Sequence, residues 1–235
     1  MSTFGKLDKI DIFNLTLELL GQPQITSAEF TTPTQKATKS IKNVYRITRN
    51  SLLREHDWNF ARNVVELVEA PDEVTHPGYE YFWYYPDYEN LPATGNKPQG
   101  AIIVNKVFID TSAQVPDKID YKIFQFIDPD ESINGKFIAT QYDDCYAQIT
   151  NYGYDDDAGS TYEGAKAESF DATFAETLAY RIAAMICKRI TGDKQLTSDL
   201  KRDYLERLNE AKRQNNVENN DVDTNVSSCA YIEER

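Results

Sequence analysis

Cysteine is scarce in this chain of 235 residues: Cys145, Cys187 and Cys229 lie far apart, are odd in number and form no CxxC pair. They frame neither a disulfide scaffold nor a zinc site, and Cys187 falls in an apolar helical run where a small hydrophobe belongs. Reduced thiols and no metal are the expectation. The 10 glycines are scattered, and none falls into a GxGxxG or GxxxxGKS/T pattern, so the usual phosphate-cradling loops are missing. No apolar run approaches the roughly 18 residues of a membrane span, and Met1-Ser2-Thr3-Phe4 opens no signal peptide. Use without membrane insertion is therefore expected. No cofactor site is indicated.

Positive charge is also short, with 25 basic against 38 acidic residues and a net charge of −13. Proteins that grip nucleic acid gain affinity when Lys and Arg displace counterions from phosphates. This chain lacks that surplus. An acidic surface suits a conduit through which DNA slides without sticking, although solubility alone explains the same excess.

What is present is an apolar rhythm that changes period along the chain. Ile10, Phe13, Leu17 and Leu20 predict a helix near 8–20, stopped by Gly21 and Pro23. Ala37, Ile41, Val44, Tyr45, Thr48, Leu52 and Leu53 predict a second near 34–56, with Thr34 as its cap after Pro33. From about 62 to 150 the pattern turns to strands. Ile119, Tyr121 and Ile123 alternate with Lys122 and Phe124, and residues 101–104 and 107–109 are apolar and β-branched. Asn134-Gly135 reads as a hairpin turn between 131–133 and 136–138, while Pro86, Pro92, Gly95 and Pro98 mark a loop. Asp155 to Ser160 is a polar connector. A third helix near 170–190 points Phe174, Leu178, Ile182, Met185, Ile186 and Ile190 inward and ends at Gly192. A fourth near 198–214 buries Leu200, Tyr204, Leu205, Leu208 and Ala211 and exposes Lys201, Arg202, Glu206 and Arg207. Residues 215–235 begin with Asn, Asp and Val without periodicity and read as a flexible arm. The fold class is α+β: a helical bundle from residues 1–61 and 165–214, with an inserted antiparallel β domain at 62–164.

A short helix ending in Leu-Leu-Gly is followed by a long one ending in Leu52-Leu53-Arg54-Glu55-His56-Asp57-Trp58-Asn59-Phe60-Ala61. This order resembles the tail tubular protein A family, the head-to-tail adaptors of short-tailed bacteriophages, and among them the ring proteins of crAss-like phages. The resemblance covers roughly residues 7–61 and 168–214, and the β region matches only loosely. It implies a structural virion protein of the phage tail, a dodecameric ring that joins the portal to a tail nozzle or further ring proteins, with tail fibres as further neighbours. DNA passes through such a ring without specific binding. The family's motif maps onto Leu52, Leu53, Arg54, His56, Trp58, Asn59 and Phe60, read as fold-defining. Family members often carry Pro where this chain has Asp57.

Catalytic patterns are thin. His56 beside Asp57 has the composition of a base with its orienting acid, yet its place at a helix C-terminus fits a histidine favoured by the dipole and the free carbonyls. His76, before Pro77-Gly78, reads as an exposed loop residue. Asp143-Asp144 and Asp155-Asp156-Asp157 lack the alternating ligands and closing Glu of a calcium loop. Any two carboxylates could in principle cleave a glycosidic bond, and sequence spacing does not give their distance. The aromatic run from Tyr79 to Tyr88 offers interface chemistry. Phe82 and Tyr84 or their alternates are expected inside, and Tyr79, Tyr81, Trp83, Tyr85 and Tyr88 at a subunit contact, with Val226, Tyr231 and Ile232 of the arm as a second contact. Three functions remain open from sequence: a non-enzymatic ring adaptor, a tail-associated carboxylate-based cell-wall hydrolase, and a soluble protein-binding module.

Overall fold

The computed structural model describes residues 8–86, 100–109, 118–127, 133–151 and 170–218. Helices α1 (Lys9–Leu19), α2 (Ser27–Thr31) and α3 (Lys36–Arg54) come first, and a 3-10 turn (Asn59–Ala61) leads into the strands. Helices α4 (Ala172–Ile190) and α5 (Lys194–Glu218) follow the strands. The fold is α+β, with helices from both ends of the sequence flanking a central antiparallel β region.

Asp8 and Asp11 close a reciprocal capping box at the start of α1, each carboxylate accepting the other's backbone N–H at 2.9 Å. Gly21 ends the segment with φ +63, a left-handed conformation that side chains resist. Thr34 is not the cap of α3. The N-cap is Gln35 and makes no side-chain cap bond. Instead the Glu29 carboxylate of α2 accepts the N–H groups of Thr34 and Gln35 and the Thr34 hydroxyl, each at 2.8 Å. The Gln35 N–H, and then the Thr34 hydroxyl, hold the Glu29 carboxyl below its usual range.

One apolar core joins α1, α3, α4 and α5 through Phe13, Leu17, Ile41, Leu52, Leu53, Trp58, Phe174, Leu178, Ile182 and Leu208. Of the hydroxyls buried in this helical packing, that of Thr38 has no hydrogen-bond partner among the described residues, and four others bond back one turn. Thr16, Ser40, Thr48 and Thr177 donate to the carbonyls of Ile12, Lys36, Val44 and Thr173 at 2.7–2.8 Å. Met185 and Leu205 are not inward as their spacing predicts but 55% and 56% exposed. No further helix among the described residues covers their faces of α4 and α5. Ile10, Val44, Ile190 and Tyr204 are half-buried, and Ile12, absent from the expected stripe, is fully buried.

The strands form two three-stranded antiparallel sheets. β1 (Arg62–Glu66), β6 (Tyr146–Asn151) and β3 (Ala101–Phe108) make the first in that order. β2 (Tyr81–Tyr84), β5 (Asn134–Thr140) and β4 (Lys122–Ile127) make the second. The two apolar runs near 101–109 are one strand, with register shifts between Ala101 and Ile103 and between Val104 and Lys106. Asn134-Gly135 is not the hairpin turn: both residues already pair, with Ile127 and Phe126 of β4. The expected alternation around Ile119 also changes phase. Ile119 and Tyr121 pack into the core of the first sheet, whereas Phe124 and Phe126 pack against Phe137 and Ile123 is exposed.

Candidate functional site at the helix–sheet junction

The segment that leaves α3 is where helices and sheet are tied together. Leu52 and Leu53 are fully buried and Arg54 is exposed. Trp58 is 1% exposed, and its indole N–H donates at 3.0 Å to the Leu52 carbonyl, which also accepts the Glu55 N–H at the end of α3. Its ring meets Phe174 edge-on at 5.0 Å and stacks on Phe60 at 6.1 Å. Phe60 in turn packs on Phe174 and Phe170, with centroids at 4.8 and 5.4 Å. These three phenylalanines and one tryptophan pin the start of the β region to α4.

Asp57 is the polar centre of the junction. Its carboxylate takes the Arg62 guanidinium as a two-pronged fork, at 3.2 Å through Nε and 2.9 Å through the terminal nitrogen. It also accepts the amides of Asn105 on β3 and Gln148 on β6, both at 2.9 Å. Asn105 uses its other amide hydrogen on the Thr150 hydroxyl at 2.9 Å. One carboxylate therefore bonds all three strands of the first sheet to the end of α3. Proline at this position would supply none of these side-chain acceptors.

Asn215 closes the site from the far end of the chain. Helix α5 runs through Glu218 and so passes the expected end near 214, and Asn215 is 2% exposed, not part of a free arm. Its amide donates to His56 Nε2 and to the Asp57 carbonyl, both at 3.0 Å. Its Oδ1 accepts the Asn59 N–H at 2.9 Å, and its backbone carbonyl accepts the Asn59 amide at 3.1 Å. The Asn215 side chain thus has all its polar atoms paired, as buried amides usually do, whereas the buried Oδ1 of Asn59 has no hydrogen-bond partner among the described residues.

His56 is thereby an acceptor, not the dipole-favoured cation its helix-end position predicts. Burial, followed by the charge of Lys212, holds its pKa below the ordinary histidine value, with nearby Asp57 opposing. Its side-chain hydrogen-bond partners among the described residues are the amides of Asn215 and Asn216, neither of them a hydroxyl or thiol nucleophile. A third strut crosses the helices nearby. Arg181 of α4 pairs with Glu55 at 2.5 Å, donates to the Ser51 hydroxyl at 2.9 Å and lies over the Tyr204 ring. The Tyr204 hydroxyl donates to Glu55 at 3.2 Å, and burial with the Glu55 charge pushes its pKa up to about 12.

The aromatic run divides differently from expectation. Trp83 and Tyr85, assigned above to a subunit contact, are buried in the monomer's own sheet core, and Phe82 and Tyr84 are half-buried. The Trp83 indole N–H donates to Thr140, whose hydroxyl passes on to the Tyr142 carbonyl at 2.7 Å. β2 starts one residue out of the assumed phase, which sends the odd-numbered rings inward. Tyr79 and Tyr81 are half-buried; Tyr88, Val226, Tyr231 and Ile232 lie outside the described residues. His76 is half-buried against Tyr79 and Phe124 and is not a free loop residue. Cys145 is buried, which pushes its thiol pKa up and keeps it unreactive. Asp143 and Asp144 are exposed, Asp155 to Asp157 lie outside the described residues, and among those described no three His, Cys, Asp or Glu form a metal-ligating group. An open groove of about 510 Å³ lies beside Tyr79, Lys118, Asp120 and Gln141.

Of the residues at the junction, the sequence motif contained His56, Trp58, Asn59 and Phe60 but not Asn105, Gln148, Arg181 or Asn215. Only Asn215 left a signal: it falls four residues after Ala211 and extends the stripe of Leu200, Tyr204, Leu208 and Ala211. Comparison with protein-family models and with curated proteins finds no match to this chain.

Proposed function

We propose that the chain is a structural virion protein, a portal-to-tail adaptor whose copies form a ring around the passage used by phage DNA. The observation that carries this reading is what the motif residues do. His56, Asp57 and Asn59, the polar groups a catalytic reading would recruit, are engaged with Asn215, Arg62, Asn105 and Gln148 in cross-bracing the fold. A braced joint between a helical bundle and a sheet suits a subunit that transmits load between two larger bodies. The resemblance of Leu52 to Phe60 to the tail tubular protein A motif supplies the assembly, and a net charge of −13 suits a wall that DNA must pass. In this reading the protein works without cofactor, metal or chemical step. It is made in the host cytoplasm and ends in the phage tail, between the portal and a nozzle or further rings. Dodecamer formation requires a head-to-tail contact between two different faces, repeated until it closes.

Electron microscopy of the purified protein, alone and mixed with its portal, tests this directly. Closed rings that cap the portal are expected. A protein that stays monomeric and never engages the portal would sink the proposal, as would peptidoglycan hydrolysis abolished by changing one carboxylate with folding intact.

A further inference from the structure

The charge of this chain is segregated. Residues 62–164 contain 19 acidic and six basic side chains, a net charge of −13 that equals that of the whole chain, so the remaining residues are neutral together. Within that neutral part, α3 contains six Lys and Arg and no Asp or Glu. Its outward face is a stripe of Lys36, Lys39, Arg46 and Arg54 with Ile47 among them, flanked by the half-buried Lys42, whose ammonium lies over the Phe30 ring. At 1.5 Å per residue the stripe runs about 27 Å. None of these five cations forms an ion pair with a carboxylate among the described residues, and Ile47 is 68% exposed. A helix face of one sign can serve as one half of a contact whose other half is acidic.

The other half is present on the same chain. Among the described strands β1 lies at an edge of the first sheet, and its exposed face presents Val64 and Glu66. Glu69, Asp72 and Glu73 follow, all exposed and none ion-paired among the described residues. We infer that the outward face of α3 docks on the β1 edge of a neighbouring copy, Ile47 against Val64, with the lysines and arginines of α3 facing Glu66, Glu69, Asp72 and Glu73. The contact is heterologous: each copy uses a basic face toward one neighbour and an acidic face toward the other, the arrangement a closed ring requires. This inference rests on the ring reading and names the surfaces that make it.

Sedimentation velocity at about 0.05 M and about 0.5 M salt, where screening lengths differ severalfold, provides the test. Wild type is expected to assemble at low salt and loosen at high salt. The α3 reversal Lys39→Glu with Arg46→Glu and the edge reversal Glu66→Lys with Glu69→Lys should each associate at least about tenfold more weakly alone, and an equimolar mixture should regain assembly because each repelling face meets its opposite. The neutral pair Lys39→Gln with Arg46→Gln repeats the α3 arm should a reversal fail to fold. Undiminished assembly of either reversal alone, or a mixture that does not recover, overturns the docking but leaves the ring. A wild type that remains monomeric at every salt overturns both. Retention of a DNA duplex by wild type, lost in the α3 reversal and released by salt, would reassign the face to phosphate.

Discussion

Asn59 and Asn215, separated by 156 positions in sequence, hold each other by two hydrogen bonds that run from the first to the second: backbone N–H to Oδ1, and side-chain amide to backbone carbonyl. The pair fastens the last turn of α5 to the turn that follows α3. Asn215→Ala leaves the Asn59 N–H without its acceptor, and His56 Nε2 and the Asp57 carbonyl without their donor. A buried unsatisfied group costs about 1–3 kcal/mol, so the variant is expected to melt several degrees below wild type. A chain ending at Gln214 should likewise melt below one ending at Glu218. Equal melting temperatures in either comparison would remove Asn215 from the stabilising set.

Trp58 carries a larger load. Trp58→Ala empties a fully buried site against Phe60 and Phe174 and is expected to cost about 3–5 kcal/mol in urea unfolding. Trp58→Phe keeps most of the packing but loses the bond to the Leu52 carbonyl, for about 1 kcal/mol. If the alanine variant keeps its stability and loses only assembly, the ring contacts a neighbour and not the core.

Asp57→Ala removes the acceptor shared by Arg62, Asn105 and Gln148. The Arg62 pair is partly solvated, with side chains 25% and 29% exposed, which places the loss at the lower end, about 1–3 kcal/mol. Hydrogen exchange locates it: amides of β1 and β6 should lose protection before those of α4. Uniform loss across the molecule would contradict a joint at Asp57.

His56 gives the fold a pH dependence of definite sign. Its folded pKa lies below the unfolded value of about 6.5, so the unfolded chain binds the proton more readily. The neutral ring's contribution is complete above about pH 6.5 and is lost as pH falls from there through the folded pKa. Protonated Nε2 would face the Asn215 amide donor to donor, with Lys212 and Arg62 adding repulsion and Asp57 and the Asn216 side chain opposing. The drop in melting temperature between about pH 7.5 and about pH 5.5 should be smaller in His56→Gln than in wild type. Identical drops would show that His56 titrates equally in both states.

The helices were legible because their periodicity is set by burial on one face, and Phe174, Leu178 and Ile182 kept that beat against α1 and α3. Met185 and Leu205 broke it. Helical spacing assigns a direction, but only the neighbours decide whether anything covers it. In the β region, Trp83 and Phe124 show how a one-residue phase error exchanges the two faces of a strand. The Asp57 cluster was opaque for another reason: its partners at 62, 105, 148 and 215 are brought together by pairing and packing that no local window contains. The end of α5 failed by composition, since Asn215 and Asn216 are poor helix formers held in place by the partners Asn215 finds.

The core shared by α1, α3, α4 and α5 imposes an order on synthesis. Ser51 and Glu55 wait for Arg181, and His56 for Asn215, so the apolar faces of α1 and α3 emerge from the ribosome with the entire β region still to come. Contacts of such separation are slow to close, and surface left bare in the interval is open to aggregation. The hairpin of β4 and β5, and β6 with its partners β1 and β3 in the other sheet, are complete long before α4 is made. In a nascent chain the sheets are thus free to form first, and the helices on either side of the β region meet last, locked where the last turn of α5 reaches His56.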